Sequence, residues 1–337
     1  MLTDLDQHMA SIKHIIKELL SGSLRSKHRP SYLTNKLGYE CTNWMVLHNS
    51  ENPTTDYYIR TKASKCGADV HTVELSSSPE QETVPEKIII VRYLNKDWAN
   101  WLHLNRKKIK TIVFFMDDEL LRPQAWTQLP VGYQKKLASN FKILQRWLPK
   151  LVDEYWVSTS TLASSNKRLH AKIVNPAPLL GDELIRCRNP DPSREHLLFY
   201  HATASHISEF TWLRPIIRTV IERNPIASFE VIGDHEINKI FRDIPRTRIL
   251  HPMSWANYRE FTSSVSGGLG LAPLLDNEFN QARACVKSYD IQRMNAWGLY
   301  SESPAYDSMR ADERSIVAQN SQEEWIKKIE AWVNRQS

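Results

Sequence analysis

Short apolar runs alternate with stretches of helical spacing along most of this chain. From Trp44 onward the first series of runs is WMVLH, VHTVEL, KIIIVRYL, KTIVFFMDD and DEYWVSTS. Runs of this length between helix-length segments are typical of parallel strands joined by crossover helices. One such helix is predicted over residues 133–151, where apolar residues recur on one side and basic residues occupy the remainder. The first series therefore predicts an α/β domain.

A second series of the same kind begins near residue 196. Its runs are HLLFYHA, SFEVIGD, TRILHPM, GLGLAPL and GLYSE, with helices predicted over residues 207–223, around Tyr258 and over residues 287–296. The polar segment RCRNPDPSREH, which precedes the series, has the composition of a linker. Two successive units of this type predict two Rossmann-like, doubly wound parallel-sheet domains that face a central cleft. In such folds ligands bind at the carboxyl ends of the strands.

We place the domain boundary between residues 185 and 186. Residues 1–185 are expected to form the first domain and residues 186–320 the second. Residues 3–20 have apolar positions at helical spacing, which predicts an amphipathic helix, and a basic segment follows. Packing on the first domain and contact with an acidic membrane surface both stay open for this pair of segments. A last helix is predicted within residues 321–337, and its return to the first domain is one arrangement that the sequence allows.

Composition narrows the class of protein. The chain has 337 residues, of which 41% are hydrophobic, with 44 Lys and Arg against 38 Asp and Glu and a net charge of +6. This balance favours an anionic partner, but basic and aromatic residues are not interleaved as nucleic-acid binding requires, so no nucleic acid is expected. No apolar run is long enough to span a membrane and the first residues do not resemble a signal peptide, which predicts a cytoplasmic protein. The cysteines are too scattered for a disulfide framework or a zinc site: Cys41, Cys66, Cys187 and Cys285.

Four segments of the second series have a familiar order and spacing: YHATASHISEFTWLRPII, ILHPMSWANYREF, GLGLAPLLDNEFNQARACVKSYDI and AWGLYSESPAY. They resemble the donor domain of bacterial GT-B glycosyltransferases related to glycosyltransferase family 4, of the type found in capsule and O-antigen assembly. The first series resembles the acceptor domain more loosely, through VFFMDDEL, DEYWVSTSTLASS and KIVNPAPL. The resemblance implies a GT-B fold, with residues 1–185 on the acceptor side and residues 186–320 binding the donor.

The resemblance also implies an activity. We expect a metal-independent glycosyltransferase, without a cofactor, that moves a sugar from a nucleotide-sugar donor to a surface polysaccharide or a lipid-linked glycan. Its expected place is the bacterial cytoplasm, with peripheral contact at the inner face of the membrane. Two departures leave an alternative open, namely a catalytically inactive GT-B-like protein that binds glycan or a partner in a polysaccharide assembly complex. The glutamate pair of the family is missing, and the first turn of the second domain has no glycine. A dehydrogenase is disfavoured because no G-x-G-x-x-G follows a strand.

Cations in the stretch from Gly270 to Ser301 are suited to a donor diphosphate. Lys287 lies where a loop ends and a helix begins, with Arg283 four residues earlier, and cations near helix amino-termini stabilise a leaving pyrophosphate. A solvated loop cation is the alternative for Lys287. Asp290, one helical turn after Lys287, either accepts hydrogen bonds from donor hydroxyls or forms a surface pair with Lys287. Asn280 either contacts the sugar or caps local structure. Tyr300 and Ser301, in the last matching segment, complete this part of the implied donor site.

The first turn of the second domain contributes small polar residues to the same site. His201, Thr203, Ser205 and His206 follow the strand HLLFYHA, where hydroxyl and backbone groups can donate to phosphate. We list His206 with the catalytic candidates, whereas a place in the core is the alternative for His201. After a later strand, Pro252 and Met253 offer apolar walls to the nucleobase in the position that the resemblance implies, with simple packing as the alternative.

Carboxylates of the first domain are candidates for the general base. Asp117 and Asp118 follow an apolar strand directly, and since neighbouring residues of an extended segment point in opposite directions, we expect only one of them to face the cleft. A helix cap and a metal site are the alternatives, and metal is disfavoured because further ligands are missing. Three polar residues follow the first strand and are expected on the acceptor side of the same crevice: Asn49, Ser50 and Thr54. Contact with the donor phosphates is the alternative for them.

Overall fold

The computed structural model describes residues 43–179, 181–182 and 189–335. Within them lie two six-stranded sheets whose neighbouring strands all run parallel, which confirms the predicted α/β fold with two doubly wound sheets. The predicted helix at residues 3–20, the basic segment after it and the boundary between residues 185 and 186 lie outside the described residues. No helix in the described ranges is long and apolar enough to cross a membrane.

The first sheet has the order β2-β1-β3-β4-β5-β6. Its strands are β1 (Asn43–His48), β2 (Asp69–Glu74), β3 (Lys87–Val91), β4 (Thr111–Met116), β5 (Glu154–Val157) and β6 (Lys172–Ile173). Its helices are α1 (Thr61–Lys65), which continues a π-helical turn (Thr55–Arg60), α2 (Lys96–Asn105), α3 (Val131–Leu151) and α4 (Ser160–Ser165). The strand order reverses between β1 and β3, so the carboxyl ends of these two strands open a crevice.

The second sheet has the order β12-β11-β10-β7-β8-β9, and its order reverses between β7 and β10. Its strands are β7 (Leu197–His201), β8 (Ser228–Ile232), β9 (Thr247–Leu250), β10 (Leu269–Ala272), β11 (Trp297–Ser301) and β12 (Ser315–Ala318). Its helices are α5 (Ile207–Arg223), α6 (His235–Phe241), α7 (Trp255–Ser264), α8 (Glu278–Gln281), α9 (Val286–Arg293) and α10 (Gln322–Val333). Short 3₁₀ turns lie at Pro79–Gln81, Pro123–Trp126, Lys167–Leu169, Pro192–Arg194, Ala204–His206 and Pro304–Ala311.

Each of the apolar runs of the two series contains a strand. The central strands have apolar side chains on both faces because helices cover both sides of a parallel sheet, and β3 and β4 are buried almost throughout. The sequence missed β6 and β12, which form one edge of each sheet. β6 has two exposed residues and β12 is half-buried, so neither requires the apolar run by which strands are recognised.

The last helix packs within the second half of the chain. α10 contacts α5, and the rings of Trp325 and Trp212 meet edge to face with their centroids 5.1 Å apart. Trp325, Ile329, Trp332 and Val333 are buried in the core of the second sheet. The apolar face of α10 is therefore committed to the second sheet rather than to a return toward the first.

The segment between β10 and α9 holds the two sheets together. Phe279 and Ala282 are buried in the core of the first sheet although they follow β10 of the second. Thr159 donates a hydrogen bond of 2.8 Å to the carbonyl oxygen of Ala282, and the rings of Tyr133 and Phe279 meet edge to face. This docking fixes the loop that leads into α9.

A glycine lets α9 lie directly against β10. A Cβ atom on Gly270 would be 2.6 Å from Cγ1 of Ile291 and 2.8 Å from Cζ of Phe199, closer than side chains can approach. Any larger residue at this position would force the Ile291 and Phe199 side chains to shift. Gly270 therefore allows the close contact between α9 and β10.

Candidate active site

A cleft of about 1020 Å³ opens between the carboxyl ends of the two sheets. Residues that follow β1, β3 and β4 line one wall, and residues that follow β7, β8, β9 and β10 line the other. The predicted site residues that line it are Asn49, Ser50, Thr54, Asp117, Asp118, His201, Thr203, Ser205, His206, Pro252, Met253, Arg283, Lys287 and Asp290. The fold thus gathers residues from distant parts of the sequence into one cavity, as strand ends of parallel sheets do.

Asn280, Tyr300 and Ser301 are not among the residues that line the cleft. The buried Asn280 side chain donates to Glu209 and to the carbonyl of Leu275, which fits the capping alternative better than sugar contact. Tyr300 is buried against Tyr306. Ser301 is fully buried, and its hydroxyl accepts a hydrogen bond from the backbone of Leu274. These three side chains shape the loop around the cleft from within the protein.

Two carboxylates and two arginines alternate across the cleft. Asp118 lies between Arg92 and Arg283, with nitrogen-to-oxygen distances of 3.3 Å to each, and Arg92 also approaches Asp117 at 3.4 Å. The expectation that only one aspartate faces the cleft is wrong, because β4 ends at Met116 and the chain bends at both aspartates, so strand alternation no longer applies. The four charges neutralise one another and span both sheets.

Asp117 has the less satisfied carboxylate of the two. Its Oδ2 accepts a hydrogen bond of 2.7 Å from the hydroxyl of Thr54. Its buried Oδ1 accepts no hydrogen bond from the described residues, although Nε of Arg92 lies 3.4 Å away. Burial raises the pKa of Asp117, and the neighbouring Asp118 raises it further against the opposing effect of Arg92. A carboxylate with a raised pKa is suited to accept a proton. Thr54, predicted to meet the acceptor, therefore also orients this group.

His206 holds Arg283 in place. Nη1 of Arg283 lies 2.9 Å from Nε2 of His206, which must be the acceptor because a guanidinium only donates. Burial and the charge of Arg283 lower the pKa of His206, against the opposing effect of Glu209. Its Nδ1 faces Glu209 at 3.7 Å. The lone pair that a general base would need is therefore occupied by Arg283.

Lys287 occupies the floor of the cleft at the end of β7. Its ammonium donates to the backbone carbonyl of His201 and lies 3.8 Å from Oδ2 of Asp290. Burial lowers its pKa, and the charge of Arg283 lowers it further. The hydroxyls of Thr203 and Ser205, 2.7 Å apart, lie in the turn after the same strand. Lys287, Arg283 and these two hydroxyl residues all line the cleft.

Asp290 belongs to a buried network that joins the two halves. Its Oδ1 accepts 2.7 Å hydrogen bonds from the Tyr57 hydroxyl and from Nη2 of Arg293, and Arg293 in turn donates to Tyr57 at 2.6 Å. Arg293 also donates to Thr262 at 2.8 Å. One carboxylate oxygen is therefore committed to structure, and only Oδ2 is directed toward Lys287. The sequence left a surface pair of Lys287 and Asp290 as the alternative. In the structure Asp290 is buried, and the pair belongs to a buried network of charges.

The ring of His201 is turned toward β8 of the second sheet. Its Nε2 lies 3.1 Å from Glu230, a fully buried carboxylate that also pairs with Arg194 and Arg248. Burial lowers the pKa of His201. Burial alone would raise the pKa of Glu230, but the hydrogen bond from His201 and the arginine charges bring it to about 2. The ring of His201 therefore lies in the core, as the alternative in the sequence analysis had it. The backbone carbonyl of His201 accepts the hydrogen bond from Lys287.

Sequence reasoning missed several residues of the cleft. Arg92, Tyr133, Lys136, Trp255 and Tyr258 all line it. Arg92 follows β3 directly, and its place after an apolar run indicates a position at the cleft. Its backbone adopts a left-handed conformation with φ of 63°. Trp255 and Tyr258 lie on the first turn of α7, next to Pro252 and Met253, and add aromatic walls there. The sequence pattern does not distinguish these two helical aromatic residues from aromatic residues of the core.

No protein-family model and no curated protein matches this sequence. Many solved structures nevertheless share its fold. One is an α,α-trehalose-phosphate synthase (UDP-forming) from Burkholderia vietnamiensis, with 9% identity, a TM-score of 0.51 and coverage of 88% of this chain and 90% of that one. Another, described as trehalose-6-phosphate from E. coli bound with UDP-2-fluoro glucose, has 8% identity, a TM-score of 0.50 and coverage of 88% and 92%. At such identities the likeness extends to the fold alone, and with its two parallel sheets about a cleft this chain has the GT-B fold.

Proposed function

We propose that this protein is a glycosyltransferase that moves a sugar from a nucleotide-sugar donor to a hydroxyl of a surface polysaccharide or lipid-linked glycan. The observation that carries the proposal is the convergence of Arg283 and Lys287 on the end of β7, opposite the carboxylates Asp117 and Asp118. Cations on one wall and a carboxylate on the other are what transfer from a diphosphate leaving group requires. Similarity to family 4 enzymes and a role in capsule or O-antigen assembly belong to the same proposal.

The donor diphosphate is assigned to the pocket of Lys287, Arg283 and the hydroxyls of Thr203 and Ser205. An anion there would replace the carboxylate partners that now balance the two cations, and the first turn of α9 would add backbone donors. The nucleobase is assigned to the apolar end of the cleft at Met253. The proposal uses these side-chain cations in place of a metal ion and involves no cofactor.

Asp117 is assigned the role of general base for the acceptor hydroxyl. We expect Asp117→Asn to lower kcat on the order of 100-fold or more while donor affinity is kept, because the amide cannot accept the proton. A base acts when it is deprotonated, so wild-type activity falls as pH drops through the pKa of Asp117. Since burial raises that pKa, the loss occurs at higher pH than for an exposed aspartate. The measurement is a pH profile of kcat for both proteins.

The matched control for Asp117→Asn is Asp69→Asn, which alters an exposed aspartate at the start of β2. It should keep wild-type kcat and the same acidic limb. An Asp117→Asn enzyme that retains both kcat and the acidic limb would show that the base lies elsewhere.

The function itself is tested with a panel of nucleotide sugars. We expect at least one of them to raise the Tm of the purified protein, and mass spectrometry should then detect its sugar on a glycan acceptor. Nucleoside monophosphates should stabilise less, because they lack the second phosphate for Arg283 and Lys287. If no nucleotide or nucleotide sugar changes the Tm, the donor site is not where we place it.

One observation favours the alternative of an inactive GT-B-like protein that binds glycan or a partner. Oδ1 of Asp290 accepts hydrogen bonds from Tyr57 and Arg293. Only its other oxygen is left to bind a donor sugar in place of the missing glutamate pair. The two proposals separate on chemistry. Donor hydrolysis or transfer by the purified protein excludes the alternative, whereas glycan binding without turnover supports it.

A further inference from the structure

A buried carboxylate lies behind the donor side of the cleft. Glu209 is on the first turn of α5, is 4% exposed and is not among the residues that line the cleft. Burial raises the pKa of Glu209, but its contact with His206 and the charge of Arg283 bring that pKa to about 2. The carboxylate is therefore charged, and a buried charge needs partners that compensate for the loss of water.

One oxygen of Glu209 reaches the side chain of Arg283 through a histidine. Oε2 lies 3.7 Å from Nδ1 of His206, and Nε2 of the same ring accepts a hydrogen bond of 2.9 Å from Nη1 of Arg283. Because a guanidinium only donates, Nε2 must carry the lone pair of the ring and Nδ1 its proton. Glu209 favours this tautomer, since its carboxylate attracts the proton on Nδ1.

The other oxygen of Glu209 reaches the backbone of Arg283 through an asparagine. Oε1 accepts a hydrogen bond of 2.9 Å from the side-chain amide of Asn280, whose carbonyl oxygen accepts one of 3.1 Å from the backbone N–H of Arg283. The same amide donates to the carbonyl of Leu275 at 2.8 Å, so the segment between β10 and α9 is tied to the first turn of α5. Glu209 therefore contacts Arg283 by two separate routes.

We propose that Glu209 is a positioning residue for the donor diphosphate, which orients the guanidinium of Arg283 through His206 and holds its backbone through Asn280. This role rests on the proposed function, in which Arg283 binds the diphosphate. A side chain that is ordered before the ligand arrives loses less entropy on binding. In the unliganded cleft the guanidinium also pairs with Asp118, at 3.3 Å. A diphosphate would replace Asp118, whereas the support from Glu209 would be kept.

A role in helix stability alone is the competing explanation, because a negative charge is favourable on the first turn of a helix. Glutamine at this position separates the two explanations. A carboxylate accepts hydrogen bonds at both oxygens, whereas an amide accepts at only one. Glu209→Gln therefore keeps the size of the side chain but must break either the route through His206 or the route through Asn280.

The test measures the Kd for inorganic pyrophosphate, uridine diphosphate and guanosine diphosphate by isothermal titration calorimetry. We expect Glu209→Gln to raise the Kd about 10-fold, the effect of a weakened hydrogen bond to a charged group. In an Arg283→Met background the same change should have no further effect, whereas in a Lys287→Met background it should keep its full effect. Equal effects in both backgrounds would show that Glu209 acts on the fold and would overturn the proposal.

Two further variants complete the comparison. His206→Phe removes the acceptor of Arg283 but keeps a ring, and it should raise the Kd by a similar factor. Glu222→Gln, at an exposed position of the same helix, is the matched control and should keep the wild-type Kd. Wild-type affinity in Glu209→Gln would overturn the role of Glu209 and leave the donor site intact. A wild-type protein that binds none of the three ligands would instead overturn the assignment of Arg283 to the diphosphate, and the role of Glu209 with it.

Nitrogen NMR of the His206 ring tests the first route without a ligand. We expect the proton on Nδ1 in the wild type, as the hydrogen bond from Arg283 requires. A proton on Nε2 in the wild-type protein would overturn the proposal. Circular dichroism of each variant shows whether the fold is kept.

Discussion

Lys287→Met should abolish most of the affinity of this protein for nucleoside diphosphates. We expect the Kd for uridine or guanosine diphosphate, whichever binds the wild type, to rise roughly 10-fold to 100-fold, the effect of losing one charged hydrogen bond worth about 1.5–3 kcal/mol. Methionine keeps the length and the apolar stem of the side chain but removes the ammonium. Isothermal titration calorimetry measures the change.

The unliganded fold should tolerate Lys287→Met. Burial of the ammonium costs free energy, which offsets part of what its contacts with the His201 carbonyl and Asp290 contribute. We therefore expect only a small fall in the Tm without ligand. Lys239→Met, on the exposed surface of α6, is the matched control and should bind diphosphate normally. Unchanged affinity in Lys287→Met would place the diphosphate elsewhere in the cleft.

Asp290→Asn should destabilise the protein strongly, independently of any ligand. The substitution leaves Arg293, which is 1% exposed, without its closest charge partner, and breaking a buried pair costs about 3–5 kcal/mol. We expect the lower end of that range because Asp182 lies 3.5 Å from Nη1 of Arg293. The free energy of unfolding in urea measures the loss.

The partners of Asp290 provide the controls. Tyr57→Phe removes one hydroxyl of the same network and should cost about 1 kcal/mol. Asp290→Asn/Arg293→Met should cost less than the two single changes together, because no uncompensated charge stays buried. Asp307→Asn, at an exposed aspartate of the second domain, should change stability by less than 0.5 kcal/mol, roughly the limit for surface positions. Wild-type stability in Asp290→Asn would mean that the network contributes nothing.

The sequence predicts which residues lie at the cleft better than it predicts the contacts that they make with one another. A strand such as KTIVFFM is recognised by its own apolar residues, and the residues that follow it lie at the carboxyl edge of the sheet. Asp117 and Asp118 were found in this way. Their partner Arg92 was overlooked because nothing local connects residue 92 with residue 118, although Arg92 also follows a strand. Lys136 and Tyr258 could not be assigned to the cleft from the sequence for a different reason. Both lie on helices, and helix residues line a cleft only when the helix begins at its rim.

Short-range patterns along the chain are enough to predict the alternation of strands and helices, the doubling of the fold and most of the residues at the strand ends, given the geometry of parallel sheets. The contacts that these residues make follow from the tertiary structure. Asp290 meets Tyr57 across 233 positions of the chain, Arg283 meets Asp118 across the cleft, and Asn280 turns inward to Glu209. Such pairings depend on how the second half docks on the first, and the energy of a buried charge depends on every neighbour that the docking supplies.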